Sequence, residues 1–412
     1  MVGSELPQRA RIAVIGKGLI GAAAARHLAR QTDGVVLIGP DEPPVRADHR
    51  DVFGSHYDEG RIYRILDSDP IWARLAERSI ARYAEIEEQS GLRFQQQVGM
   101  LAVTMRAAGT ASPRRARGAP GGVAAAYGRT GEALGVSFEQ LDGAALAGRF
   151  PYLSFGADAD GVFEWQTAGH ISPRRMVAAQ AAAAERHGAT ILREPVHALA
   201  LDAGGVTVTT ATGGVVRAER ALVATGGFAN VHAVLPRPLD IVVRGRTIVL
   251  AEVAGDLLER LRPMPSLIVD GSAPLGDPYL LPPIRYPDGR WYAKIGTGEF
   301  EHRLGTLEEL GDWFRSPGAA EDREALHRTI LALIPELAGA PIHTDTCAVT
   351  ATVSGRPYVD LIADGRIGIA VGGNGSAAKS ADEIGRLAAD LLLAGAWRDD
   401  LPAEAFRAQF RA

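Results

Sequence analysis

The chain has 412 residues, 46% of them apolar, and a formal net charge of −5. That length supports a sizeable core and about two domains, and a weak acidic balance without long charge runs argues against nucleic acid and membrane surfaces as partners. No run of about 18 uninterrupted apolar residues occurs. A strand, turn and helix explain the N-terminus better than a signal peptide does. A cytoplasmic protein is expected from these two readings, and the one cysteine, Cys347, excludes an intrachain disulfide.

Arg11–Gly16 is a short apolar run ending in glycine, which suits a buried parallel strand. Gly16-Lys17-Gly18-Leu19-Ile20-Gly21 follows and opens an alanine-rich helix ending near Gln31; Val35–Ile38 is a second buried strand. This is a βαβ unit carrying GxGxxG between strand and helix, the context in which that motif signals a dinucleotide site. Gly16 permits the tight turn, Gly18 lets a pyrophosphate approach the backbone, and Gly21 lets the helix lie close to the strand. The phosphates would rest on unpaired N–H groups at the helix N-terminus. Gly39 stands at the end of the second strand, where a ribose-binding carboxylate is expected; Asp41 or Glu42 is left to replace it.

Beyond a polar stretch, Asp41–Asp51, comes Gly54-Ser55-His56-Tyr57-Asp58-Glu59-Gly60-Arg61-Ile62-Tyr63-Arg64. Pro70 opens a helix whose apolar face (Ile71, Leu75, Ile80, Tyr83, Ile86) runs to Gly91. Val98–Thr104 reads as a strand, and Arg106–Gly122 as an exposed, mobile loop. Ser172-Pro173 caps a helix over Arg174–His187. Strands follow at Ala189–Leu192, Val196–Leu201, Val206–Thr210, Val215–Ala218 and Arg220–Gly227. Further strands are expected at Val242–Val253 and Tyr292–Gly296, with a helix over Ala319–Ile334. The α/β pattern then returns with Ile367–Val371, Gly372-Gly373-Asn374-Gly375 and a helix from Ser380 to about Leu393, capped by Gly395. The two ends of the chain thus belong to one nucleotide-binding domain.

Of 44 basic residues only three are lysine: Lys17, Lys294 and Lys379. Each raises the question whether a compact, titratable ammonium is needed there. Taken with the GxGxxG unit, the GSHYDEGRIYR segment, the LVATGG strand ending on Gly226-Gly227, WYAKIGTG around Lys294, Cys347 and GGNGSAAKSADEIG, they carry a resemblance. Over nearly its whole length the chain resembles the D-amino-acid-oxidase superfamily of FAD-dependent amine oxidases, above all the monomeric sarcosine oxidase and N-methyltryptophan oxidase branch.

The resemblance implies an α/β fold: a Rossmann-like FAD-binding domain of interleaved segments (1–96, 169–232 and 349–412) and a mixed-sheet substrate domain (97–168 and 233–348). It implies a monomer that takes a hydride from the carbon beside the nitrogen of an amino or imino acid and reduces O2 to hydrogen peroxide. Arg64 and Lys379 align with the two basic residues that hold the substrate carboxylate; for Arg64 the plain alternative is a surface ion pair with Asp58 or Asp67. Lys294 aligns with a lysine close to the flavin that favours the oxygen reaction, and Arg61 with a second arginine near the ring; these two are the expected catalytic residues. Cys347 aligns with the cysteine that bonds covalently to the flavin. Gly16, Gly18, Gly21, Asp41, Ser55, His56, Gly226, Gly372 and Gly375 complete the expected FAD-binding set. Lys17 is expected to stand in solvent, and no metal is expected.

The chain departs from the family pattern at Gly39 and again at Ser376, Ala377 and Ala378, so sarcosine itself is a poor candidate substrate. Three other readings remain: a biosynthetic oxidase of a cyclic imino acid, a flavin dehydrogenase with another electron acceptor, and an NAD(P)-dependent dehydrogenase. A protein that only holds FAD is a fourth.

Overall fold

In the computed structural model, which describes residues 9–105, 121–271 and 275–411, the first strand runs over Arg9–Ile15 and pairs in parallel with both Val35–Ile38 and Val215–Val223. The last of these continues through Arg220, so Val215–Ala218 and Arg220–Gly227 are not separate strands. Its first half pairs antiparallel with Gly205–Thr210 and its second half in parallel with Ile367–Val371. The eight strands of this sheet come from the beginning, middle and end of the sequence. A second, nine-stranded mixed sheet is built around Ile241–Val253, which pairs antiparallel with Trp291–Thr297 and Ile342–Thr352. A small sheet of Arg61–Tyr63, Gln95–Gln96 and Gly169–Ile171 lies apart from both. An α/β fold of interleaved segments with a second mixed sheet is therefore what the chain adopts.

The glycine helix, Leu19–Ala29, is short-sided for a reason: Ala22, Ala23, Ala24 and Ala25 are fully buried between the sheet and the helix Ala377–Ala394. A Cβ on Gly385 of that helix would meet the Ala24 backbone nitrogen at 2.6 Å, so the two helices touch backbone to backbone.

Three further elements differ from the sequence reading. The helix expected from Pro70 to Gly91 is two, Pro70–Ile80 and Tyr83–Ser90; the turn between them brings the Tyr83 hydroxyl onto the Lys379 carbonyl at 2.9 Å and Arg82 onto Asp382 at 2.6 Å. Gly122 does not end a loop but opens a helix, Gly122–Leu134, while residues 106–120 lie outside the described part. Pro278–Arg285 is a strand despite three prolines, with a register shift between Leu281 and Ile284 that accommodates Pro282 and Pro283.

Candidate active site

One cleft of about 1300 Å³ runs from the glycine turn, between the two large sheets, to the start of the C-terminal helix. An ordinary small-molecule site is about 300–1,000 Å³, so the cleft has room for a dinucleotide and a second molecule. At its first end, Gly16 has φ +106° and a Cβ there would strike the Ala224 carbonyl at 2.5 Å. A Cβ on Gly21 would lie 1.8 Å from the Gly16 carbonyl oxygen, so this position fixes helix against turn. Gly18 differs: no atom lies within 4 Å of where its Cβ would be, and it lines the cleft. An open approach to the helix N-terminus is what a pyrophosphate needs, and the residues fit a bound dinucleotide.

Gly226, Gly372 and Gly375 also line the cleft, as do Ser55 and His56. Ser55 donates to the Ala348 carbonyl at 2.8 Å, tying its loop to the strand that carries Cys347. Burial and the nearby Lys17, Arg174 and Arg61 push the His56 imidazole down to about 3, so it is neutral at ordinary pH. Cys347 is 9% exposed and borders the same space.

Gly21, Asp41 and Lys294 do not line the cleft. Asp41 is an exposed partner of Lys17 and, at 3.4 Å, of Arg193. Glu42 is engaged by Arg174 at 2.5 Å. Lys17 is not in solvent: its side chain is 11% exposed and its ammonium is held by Asp41. Gly39 has a steric explanation, because a Cβ there would meet the Lys17 backbone nitrogen at 2.5 Å.

The other end of the cleft is charged. Arg61 stands on the small sheet and pairs with Asp58. Lys294, fully buried on the strand Trp291–Thr297, donates to the same Asp58 at 2.5 Å and to the Gly60 carbonyl at 2.7 Å. Burial and the Arg61 guanidinium push the Lys294 ammonium down. Tyr286 donates to the other Asp58 oxygen at 2.8 Å. Lys294 is thus joined to Arg61 through a carboxylate.

Arg64 and Lys379 meet as the sequence predicts, but they meet on a carboxylate of the chain itself. Asp67 Oδ2 lies 2.9 Å from Lys379 Nζ and 3.2 Å from Arg64 Nη2. The expected alternative for Arg64 is thus half right: the pair with Asp67 exists, but inside the cleft wall and not at the surface, the Arg64 side chain being 11% exposed. Arg64 also donates to the Tyr127 hydroxyl at 2.7 Å and lies over that ring. Burial would raise the Asp67 carboxyl, yet Lys379 and Arg64 hold it below the usual carboxylate range; burial brings Lys379 down to about 8. Glu164, pushed up by burial, receives the Ile65 and Leu66 N–H groups at 2.9 and 3.0 Å and so fixes the backbone after Arg64. Asp58, Asp67, Tyr127 and Glu164 were not legible as site residues. Asp58 and Asp67 left a signal only as alternative ion-pair partners of Arg64; Asp67 takes that part, and Asp58 pairs with Arg61 and Lys294 instead.

The sequence profile of the FAD-dependent oxidoreductase family, DAO, matches residues 11–391. No curated protein matches the chain. Among solved structures it is similar to the open form of NikD, described as an unusual amino acid oxidase essential for nikkomycin biosynthesis (TM-score 0.77, 18% identity, 98% of each chain covered). It is also similar to L-proline dehydrogenase from P. horikoshii (0.73, 19%, 98% of this chain and 97% of that one) and to glycine oxidase from Geobacillus kaustophilus (0.70, 18%, 97% and 98%). At such identities these structures speak for the fold, and the profile, which spans nearly all of the sequence, for the family. The chain belongs to the DAO family of FAD-dependent oxidoreductases.

Proposed function

We propose that the protein is an FAD-dependent oxidase of an amino or imino acid. The observation that carries this reading is the convergence of Arg64 and Lys379, from opposite ends of the sequence, on a single carboxylate oxygen in the cleft wall. A guanidinium fork beside an ammonium is a carboxylate holder. Held there, a substrate has its amine fixed relative to the rest of the cleft, which is how positioning acts on rate. The cations around it favour the neutral amine, the form that can be oxidised. Bound FAD would supply the hydride acceptor and the electrons that reduce O2 to peroxide. The glycine turn and Gly226, Gly372 and Gly375 would hold it, and Cys347 would anchor it covalently.

Peroxide release from a panel of amino acids and cyclic imino acids, run beside the same amines lacking the carboxylate, tests the substrate class. The acids are expected to react and the plain amines to lag by at least tenfold; equal rates would sink the carboxylate holder. Acid precipitation tests the anchor: colour is expected in the pellet of the native protein and in the supernatant of Cys347→Ala, and colour in the supernatant of both removes the covalent claim.

One observation favours a dehydrogenase as the second reading. Lys294 is held by Asp58, which also pairs with Arg61, and it does not line the cleft as Arg61 does, which makes it a positioning residue for Arg61. A substrate that bleaches the flavin without air, yet yields no peroxide in air, would select this alternative.

A further inference from the structure

The basic pair that should await a substrate is already in use. Asp67 bridges Lys379 and Arg64, and all three line the cleft. The bridge is uneven. Arg64 gives Asp67 only Nη2, at 3.2 Å, and the same nitrogen also serves Tyr127. Arg64 Nε is buried and has no hydrogen-bond partner among the described residues. A guanidinium binds a carboxylate best with two parallel N–H donors, and Asp67 does not use that fork. A buried donor left idle carries a desolvation cost that a better-placed acceptor would remove.

Nor can Asp67 readily improve its grip. The backbone before it is fixed by Glu164 at Ile65 and Leu66. The backbone after it is fixed by Asp69, which caps the helix Pro70–Ile80 through the Ile71 N–H at 2.8 Å. Between these two anchors Asp67 is held by side-chain contacts, Oδ2 to the two cations and Oδ1 to the Asp69 N–H at a long 3.3 Å, and its side chain borders the cleft.

Resting on the reading of Arg64 and Lys379 as the substrate's carboxylate holders, we propose that Asp67 is a resident carboxylate that fills this clamp in the free protein, and that a substrate carboxylate binds by exchange with it. The incoming group takes the Arg64 fork through Nε and the Lys379 ammonium, so both cations stay paired throughout. Asp67 turns into the cleft. Exchange lowers the apparent affinity of every ligand by the fraction of time the clamp is free. It also discriminates: an amine without a carboxylate cannot displace Asp67 and meets a clamp with one negative charge already in place.

The test uses the full chain with its flavin and benzoate, an inert carboxylate, with benzamide as the neutral control. Calorimetric titration of Asp67→Asn is expected to show benzoate bound at least tenfold more tightly than by the native protein, with benzamide unchanged. Asp67→Glu, which restores a carboxylate, returns benzoate affinity toward the native value. Equal or weaker benzoate binding by folded Asp67→Asn overturns the proposal, as does failure of both proteins to bind benzoate. Should Asp67→Asn not fold, a crystal structure of the native protein with benzoate decides the question. Benzoate between Arg64 and Lys379 with Asp67 turned away supports exchange; Asp67 still bridging both cations refutes it. Because benzoate is not oxidised, a failed search for amine substrates leaves this result untouched.

Discussion

At the scale of single residues, Lys379 sets a pH dependence that does not involve the substrate's own amine. Burial lowers its ammonium to about 8 despite the opposing pull of Asp67. The cation is therefore present below about 8 and lost above it. Binding of benzoate, ionised throughout this range, is expected to hold steady from pH 6 to 7.5. It then weakens by up to about tenfold per unit as pH rises past the Lys379 value. Lys379→Met is expected to bind weakly at every pH, with the inflection gone; an inflection that survives the substitution would place the titration elsewhere. Arg64 cannot produce it, since a guanidinium keeps its charge over the whole range.

At the scale of elements, the glycine turn separates two kinds of requirement within six residues. Gly21 is demanded by packing; packing makes no demand at Gly18, which borders the proposed flavin site. Gly21→Ala puts a methyl group into the Gly16 carbonyl and is expected to cost about 1–3 kcal/mol in urea unfolding. Gly18 has extended backbone and open space around its Cβ position. Gly18→Ala is therefore expected to leave the flavin-free protein within about 0.5 kcal/mol of the native one, while weakening FAD uptake. Equal losses of stability in both variants would remove the distinction. The same unit explains what the sequence could reveal. Local signals were readable: the βαβ pattern, the Ser172–Pro173 cap, the Gly395 stop. Elements that owe their form to distant partners were not. The break near Arg82 follows from Asp382, about 300 positions later, and the strand Pro278–Arg285 exists because its neighbours absorb two prolines through a bulge. In the site the basic residues could be read from the family pattern. Their acidic counterparts, Asp58 and Asp67, could be read only as alternative partners of Arg64; their pairs with Lys294 and Lys379 could not, because an ion pair formed on folding leaves only a faint mark in sequence.

At the scale of the whole molecule, a buried charge cluster pins the last helix to the rest of the fold. Asp382 is fully buried and is reached by Arg26 at 2.7 Å, Gln180 at 2.8 Å and Arg82 at 2.6 Å. Burial would raise its carboxyl, but His27, Arg26 and Arg82 hold it well below the usual range. A carboxyl depressed by folding stabilises the folded state above its unfolded value, near 3.9, and that contribution is lost as pH falls below it. Asp382→Asn is expected to cost roughly 3–5 kcal/mol at neutral pH, since it strands buried cations, and to flatten the acid limb of the stability curve below about pH 4. Urea titrations at pH 7 and at pH 3.5 check both points; a neutral variant would show that the cluster is ornamental. The close seat of Gly385 on Ala24 has a further meaning in time. Synthesis at about 5–20 residues per second separates the two by roughly 20–70 s. For that interval the glycine turn exists without the helix that braces it. Bracing of the turn therefore waits until Ala377–Ala394 has been made: ribosome-bound chains ending before Ala377 should emerge colourless, however well their first sheet has formed.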